Sequence, residues 1–96
     1  MTYINLPSNQ QAAISDVDET VLRAAVRKCL DEERMGPIHG LGLSDCGPYV
    51  GAKLNAFQQA IAEYSKARAH AKRERTRQDA LYAGNDLIHA LQQMKV

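Results

Sequence analysis

The strongest candidate for a functional site is a basic stretch near residue 70. Between residues 63 and 79 the chain carries six lysine or arginine residues against three acids, a local charge of +3, although the whole chain has a net charge of +1. On one continuous helix these bases and a histidine fall on two stripes that lie nearly opposite each other. The first stripe consists of Lys66, His70, Arg73 and Arg77, and the second consists of Arg68, Lys72 and Arg75.

Two interpretations of this basic stretch are open. Clustered cations are typical of surfaces that contact nucleic-acid phosphates or a small anionic ligand. A nucleic-acid site is usually accompanied by a helix-turn-helix, zinc-finger spacing or stacking aromatics, and the sequence contains no such pattern. Bases on opposite sides of a helix, partly neutralised by Glu63, Glu74 and Asp79, are also typical of a solvated helix. We favour the solvated helix and keep nucleic-acid binding through residues 66–77 as an alternative.

Two patterns near residues 39–53 resemble catalytic or ligand sites but lack essential parts. His39, Asp45 and Cys46 lie close together in the sequence. A zinc site needs three or four ligands at usable spacing, however, and only two good ones are present. The segment 47–53 has the glycines of a phosphate-binding loop, but it lacks the Gly-Lys-Ser/Thr ending. We therefore predict no enzyme activity, no metal site and no cofactor.

Length and composition place these residues in a small helical domain. The chain has 96 residues, of which 45% are hydrophobic, with one Phe and no Trp. Because bulky residues are few, small aliphatic side chains must fill the core, which favours closely spaced helices. The two cysteines and a first segment without a signal-peptide pattern predict reduced thiols and a cytoplasmic location. No apolar run is long enough to predict a membrane span.

The first half of the chain divides into three predicted segments. Residues 1–15 form an N-terminal arm with one short helix. Residues 16–35 form an amphipathic helix, because apolar residues recur there at helical spacing after the capping pair Asp16 and Glu19. A Gly-Pro pair ends this helix, and residues 36–47 form a glycine-rich loop.

The second half, residues 48–95, is the longest helical tract. Apolar residues follow the three-and-four spacing of a helix, and no proline occurs after Pro48. One continuous helix of this length would be about 70 Å long, whereas a compact domain of this size is about 32 Å across. The tract therefore either breaks, at 73–78 or at 84–86, or is covered by a second chain. We favour the continuous helix.

These observations predict an all-α fold: a helical hairpin or small bundle with a long C-terminal helix, completed by oligomerisation. The predicted oligomer seam consists of Phe57, Ile61, Tyr64, Ala67, Ala71, Leu81, Ile88 and Leu91. We predict a non-enzymatic interaction protein, an adaptor, regulator or inhibitor, which binds a protein partner as a homo-oligomer. Besides nucleic-acid binding, a second alternative is the sequestration of a small anionic ligand such as a nucleotide at an oligomer interface.

Overall fold

A computed structural model describes residues 18–94, apart from the side chains of Ser44 and Asp45. Over this range the fold is all-α, as predicted, without a strand. The elements in chain order are α1 (Glu19–Glu32), α2 (Gly36–His39), a 3-10 helix (Leu43–Cys46), α3 (Pro48–Lys66) and α4 (His70–Met94). No helix in the described range combines the length and the apolar character that crossing a bilayer requires. The short helix predicted in residues 1–15 lies outside the described residues.

Helix α1 begins at Glu19 because Asp18 caps it. The carboxylate of Asp18 accepts a hydrogen bond from the backbone N–H of Thr20 at 2.8 Å, which satisfies one of the free donors of the first turn. The helix is therefore capped by Asp18, whereas Asp16, the predicted capping residue, lies outside the described residues. The helix ends before Glu33, which adopts a left-handed conformation with φ 56°. The buried face consists of Leu22, Ala25, Val26, Cys29 and Leu30.

The segment predicted as a loop, residues 36–47, contains two short helices and contributes to the core. Ile38 and Leu43 are at most 2% exposed, so the segment covers one end of the helices. Gly47 has φ 100°, a conformation that glycine adopts at little cost. It precedes Pro48, which occupies the first turn of α3, as predicted from the fixed φ of proline.

The continuous helix favoured for residues 48–95 does not form. Helix α3 ends at Lys66, Ala67 is extended with φ −70° and ψ 133°, and α4 begins at His70. Both of the predicted break points, 73–78 and 84–86, lie inside α4. The short turn lets α3 and α4 pack against each other as a helical hairpin.

The chain itself covers most of the predicted oligomer seam. Five of the eight seam residues are at most 3% exposed in the single chain: Phe57, Ile61, Ala67, Ile88 and Leu91. Tyr64 and Leu81 are half-buried, and Ala71 is exposed. A second copy is therefore not needed to bury this seam, and the predicted homo-oligomer would require another surface.

Gly84 marks the point where α1, α3 and α4 meet. A Cβ atom at this position would lie 2.6 Å from Cγ1 of Val26 in α1 and 3.1 Å from Cε1 of Phe57 in α3. Contacts this short force neighbouring atoms to move, because protein cores are close-packed. The missing side chain therefore allows the close approach of the three long helices.

Candidate functional site

The seven residues of the predicted basic stripes do not form one surface. The break after α3 places Lys66 and Arg68 outside α4, so neither shares a stripe with the bases of that helix. His70 lies in an exposed pair with Glu74, with 3.2 Å between Nε2 and Oε1. Lys72 and Arg75 are exposed. The remaining two residues, Arg73 and Arg77, have distinct surroundings.

Arg73 connects three helices. Its Nη1 atom donates to Oε1 of Glu33 at 3.1 Å, to the carbonyl oxygen of Ala67 at 3.0 Å and to that of Tyr64 at 3.4 Å. The guanidinium carbon also lies 4.6 Å from the centroid of the Tyr64 ring, which is a favourable cation–π distance. Glu33 follows α1, and the two carbonyls belong to the C-terminal end of α3.

These contacts give Arg73 a structural role. The last carbonyls of a helix lack intrahelical donors and carry partial negative charge, so a cation stabilises them. Arg73 supplies that cation from the first turn of the next helix, and the hydrogen bond to Glu33 raises the pKa of its guanidinium further above the usual range. Helix α3 can therefore end at Lys66, and the chain can turn at Ala67, although neither a glycine nor a proline lies at this point.

A groove between α1 and α4 is a candidate site that brings together cations from two helices. Its volume is about 710 Å³, within the range of ligand-binding clefts. Its apolar residues are Val26, Leu30, Leu81 and Ile88, and its cations are Arg23, Arg27, Lys28 and Arg77. The lining is completed by Ala24, Asp31 and Asn85.

The relative direction of α1 and α4 sets the order of residues along this groove. Arg73 contacts Glu33 just beyond the end of α1, whereas Gly84 lies against Val26 near its middle. The two helices are therefore antiparallel. Consequently Arg77 lies near the C-terminal half of α1, and Ile88 lies toward Arg23.

The lining of the groove carries four cations against one carboxylate, that of Asp31. The Arg23 Nη2 atom is 2.7 Å from Oε1 of Glu19, in a pair that is well exposed on both sides. Within the part of the chain that the structure describes, Arg27, Lys28 and Arg77 take part in no ion pair. These three cations can therefore pair with an anionic partner without first breaking an existing ion pair.

Sequence reasoning finds Arg77 but misses the three cations of α1. Residues 1–35 hold six acids against four bases, and this segment balance conceals the basic edge of α1. The available signal is the spacing of Arg23 and Arg27, four residues apart beside the apolar stripe of the helix. Their approach to Arg77 depends on the packing of α1 against α4, which no local pattern encodes.

Of the residues considered for metal binding or catalysis, the structure describes the side chains of His39 and Cys46, whereas the side chain of Asp45 lies outside the described part. Among the described residues, no group of three or more His, Cys, Asp or Glu side chains could hold a metal ion. His39 is exposed, whereas the Cys46 side chain is completely buried. Cys29 is also completely buried on the inner face of α1, so both thiols pack in the core.

The buried Cys29 thiol is expected to make the free energy of unfolding depend on pH. Burial raises its pKa above the ordinary value of 9.0, and the charge of Glu32 acts in the same direction. The unfolded chain therefore ionises this thiol at a lower pH than the folded chain does. The stabilising effect is complete below the ordinary pKa, and it is lost as the pH rises from there through the raised pKa.

We expect Cys29→Ala to flatten this decline. The measurement is the free energy of unfolding by urea titration, repeated at pH values below and above 9.0. The variant loses packing at every pH, so the comparison concerns the slope with pH and not the absolute stability. Equal slopes for the two proteins above the ordinary pKa would contradict the prediction.

Comparison of the chain with protein families, with curated proteins and with solved structures gives no match. The fold and the groove therefore define its class. Over the described residues it is a small all-α protein with a mixed apolar and cationic groove between α1 and α4.

Proposed function

We propose that the protein is a non-enzymatic interaction protein, an adaptor, regulator or inhibitor, which binds a protein partner through the groove between α1 and α4. The observation that carries this proposal is the composition of the groove, where four cations lie beside the half-buried Leu81, while Val26, Leu30 and Ile88 form its floor and are at most 5% exposed. Complementary charges across an interface steer the partner and select it over other proteins, and an accessible apolar side chain among them adds a dehydrated contact.

Nucleic-acid binding through residues 66–77 has weaker support. A protein that binds a phosphate backbone needs several cations that can reach successive phosphates together. Here Arg73 contacts Glu33 and the end of α3, His70 pairs with Glu74, and Lys66 lies on another helix from Arg77. Lys72 and Arg75 are exposed one turn apart on α4, but the segment does not keep all seven bases on one helix as the alternative assumes.

Sequestration of a small anionic ligand is a second candidate, and the size of the groove favours it. A volume of about 710 Å³ would accommodate a nucleotide-sized molecule, and the cations would attract its phosphates. Among the described residues that line the groove, none is aromatic, so a base would stack on aliphatic side chains only. A second copy of the chain could complete this open site, in keeping with the predicted homo-oligomer.

Affinity capture with the 96-residue chain tests the proposal. We expect wild-type protein to retain a protein partner from a lysate of its source, and Leu81→Gln to lose it because the substitution places an amide in the apolar part of the groove. Tyr82→Gln is the matched control, since Tyr82 is the next residue, is 66% exposed and lies outside the groove lining. Captured material is identified by mass spectrometry before and after nuclease treatment, and circular dichroism verifies the fold of both variants.

The proposal fails if Leu81→Gln and wild type retain the same proteins, or if Tyr82→Gln loses them equally. Recovery of only nuclease-sensitive material would favour the nucleic-acid alternative. Recovery of only a small molecule would favour the ligand alternative. Light scattering of the wild-type chain determines whether the binding form is the predicted homo-oligomer.

A further inference from the structure

We infer that the protein associates with further copies of itself, by contact of the α1–α4 groove of one copy with a second groove, between α3 and α4, of the next copy. The inference rests on the proposed function, because it names a second copy of this chain as a protein that occupies the α1–α4 groove. It follows from the opposite charges of the two grooves, the accessibility of the residues that meet, and the positions of the grooves on α4.

The α3–α4 groove has an accessible floor of small side chains. Its volume is about 500 Å³. Its charged residues are Glu63, Lys66 and Asp79, and its small residues are Ala56, Ala60 and Ala62. Ala56 is exposed, and Ala60 and Ala62 are half-buried. Because side chains this small let two helices approach closely, the groove is open to a helix of another molecule.

The two grooves carry opposite charge. Two carboxylates and one lysine give the α3–α4 lining a net charge of −1, whereas four cations and one carboxylate give the α1–α4 lining a net charge of +3. Among the side chains that the structure describes, those of Glu63 and Asp79 take part in no ion pair, like those of Arg27, Lys28 and Arg77. Contact between two copies therefore forms new ion pairs without breaking existing ones, and such complementary charge steers association.

Helix α1 is the element that fits the α3–α4 groove of the next copy. Its exposed residues include Ala24, with Arg27 and Lys28 three and four positions further along, so these three residues lie on one face of the helix. All three also line the α1–α4 groove. With the small Ala24 against the alanine floor, the long side chains of both cations reach the carboxylates of Glu63 and Asp79.

The contact joins different surfaces of the two copies. Arg77 of the α1–α4 groove and Asp79 of the α3–α4 groove lie two positions apart, which is about 200° around the axis of a helix. The grooves therefore open on opposite sides of α4, and one copy can bind a neighbour at each groove. A heterologous contact of this kind produces rings or chains of molecules, in contrast to a closed twofold dimer.

Light scattering of the 96-residue wild-type chain over a concentration series tests the inference. We expect the mean mass to rise beyond that of a dimer with concentration, and to fall as salt is added. The α1–α4 variant is Arg27→Gln with Arg77→Gln, and the α3–α4 variant is Glu63→Gln with Asp79→Asn. Each variant keeps one intact groove, so we expect its association constant, measured alone, to fall by at least about tenfold. Circular dichroism verifies the fold of each variant.

An equimolar mixture of the two variants is the decisive sample. The intact α3–α4 groove of one variant can bind the intact α1–α4 groove of the other, and the remaining two grooves are both altered. We expect the mixture to form a dimer that does not grow with concentration.

Two matched controls remove the same amount of charge at exposed positions outside both linings. They are Arg68→Gln with Arg75→Gln and Glu74→Gln with Asp86→Asn. We expect both controls to associate within about twofold of wild type, because exposed charges at a distance are screened by salt.

Three results would overturn the inference: a strictly monomeric wild-type chain at millimolar concentration, a mixture of the two groove variants that stays monomeric, or equal losses in the controls. A wild-type oligomer that neither groove variant dissociates would also overturn it, because the interface would then lie elsewhere. If the wild-type chain is monomeric but Leu81→Gln still abolishes capture of another protein, the proposed function stands and only self-association through the grooves is excluded.

Discussion

Replacing Gly84 with alanine is expected to lower the free energy of unfolding by up to about 2 kcal/mol, which is the usual cost of about 1–3 kcal/mol for inserting atoms into a packed core less the gain in helix propensity. The added Cβ would lie 2.6 Å from Cγ1 of Val26 and 3.1 Å from the ring of Phe57. Val26 has a stiff β-branched side chain, and Phe57 is completely buried. The strain therefore outweighs the gain of about 1 kcal/mol that alanine brings to a helix interior.

Gly51→Ala is the control for Gly84→Ala. Gly51 also lies inside a helix, α3, but a Cβ there has no neighbour within 4 Å. Only the helix-propensity term remains, so we expect a gain in stability of about 0.5–1 kcal/mol. The urea midpoints of unfolding of the two variants should therefore shift in opposite directions from that of the wild type. Stabilisation of both would show that the contacts at Gly84 relax without cost.

Replacing Arg73 with alanine is expected to lower the melting temperature, because the substitution removes three hydrogen bonds and the contact with the Tyr64 ring. Arginine and alanine have similar helix propensities, so the decrease in melting temperature measures the loss of the tertiary contacts. Arg73→Lys should lie between wild type and Arg73→Ala. Lysine keeps the charge near Glu33, but it lacks the planar group that stacks on the ring.

Arg75→Ala provides the matched control for Arg73, since Arg75 is exposed on the same helix. Thermal denaturation followed by circular dichroism should show almost no change for this variant. A double-mutant cycle with Glu33→Ala separates the ion pair from the contacts to the end of α3. Equal melting temperatures for Arg73→Ala and Arg75→Ala would contradict the structural role of Arg73.

Local patterns in the sequence are sufficient to predict much of the fold. The apolar stripe of α1 indicates its buried face, and the scarcity of aromatics with abundant alanine favours an all-α core. Pro48 correctly indicates the first turn of α3 because its ring fixes the backbone before any tertiary contact forms. Each of these predictions depends on residues within a few positions of one another.

The features that local patterns miss depend on tertiary contacts. Ala67 carries no sequence signal for a helix end, and the break there is stabilised by Arg73 from the next helix together with Glu33 from the first. Likewise, the basic stripes assume one continuous helix, so the break separates Lys66 from Arg77. The groove joins residues more than fifty positions apart, such as Arg23 and Arg77, and only the packed hairpin brings them to one surface.

Gly84 also has a consequence for the evolution of this surface. It lies on α4 between Leu81 and Ile88, two apolar residues of the groove, and its lack of a side chain sets how near α1 lies to α4. Any larger residue would push the two walls of the groove apart while it destabilises the core. Mutations at this one position therefore change the spacing of the groove walls and the fold stability together, so under the proposed function we expect changes of partner affinity to arise at the rim residues instead.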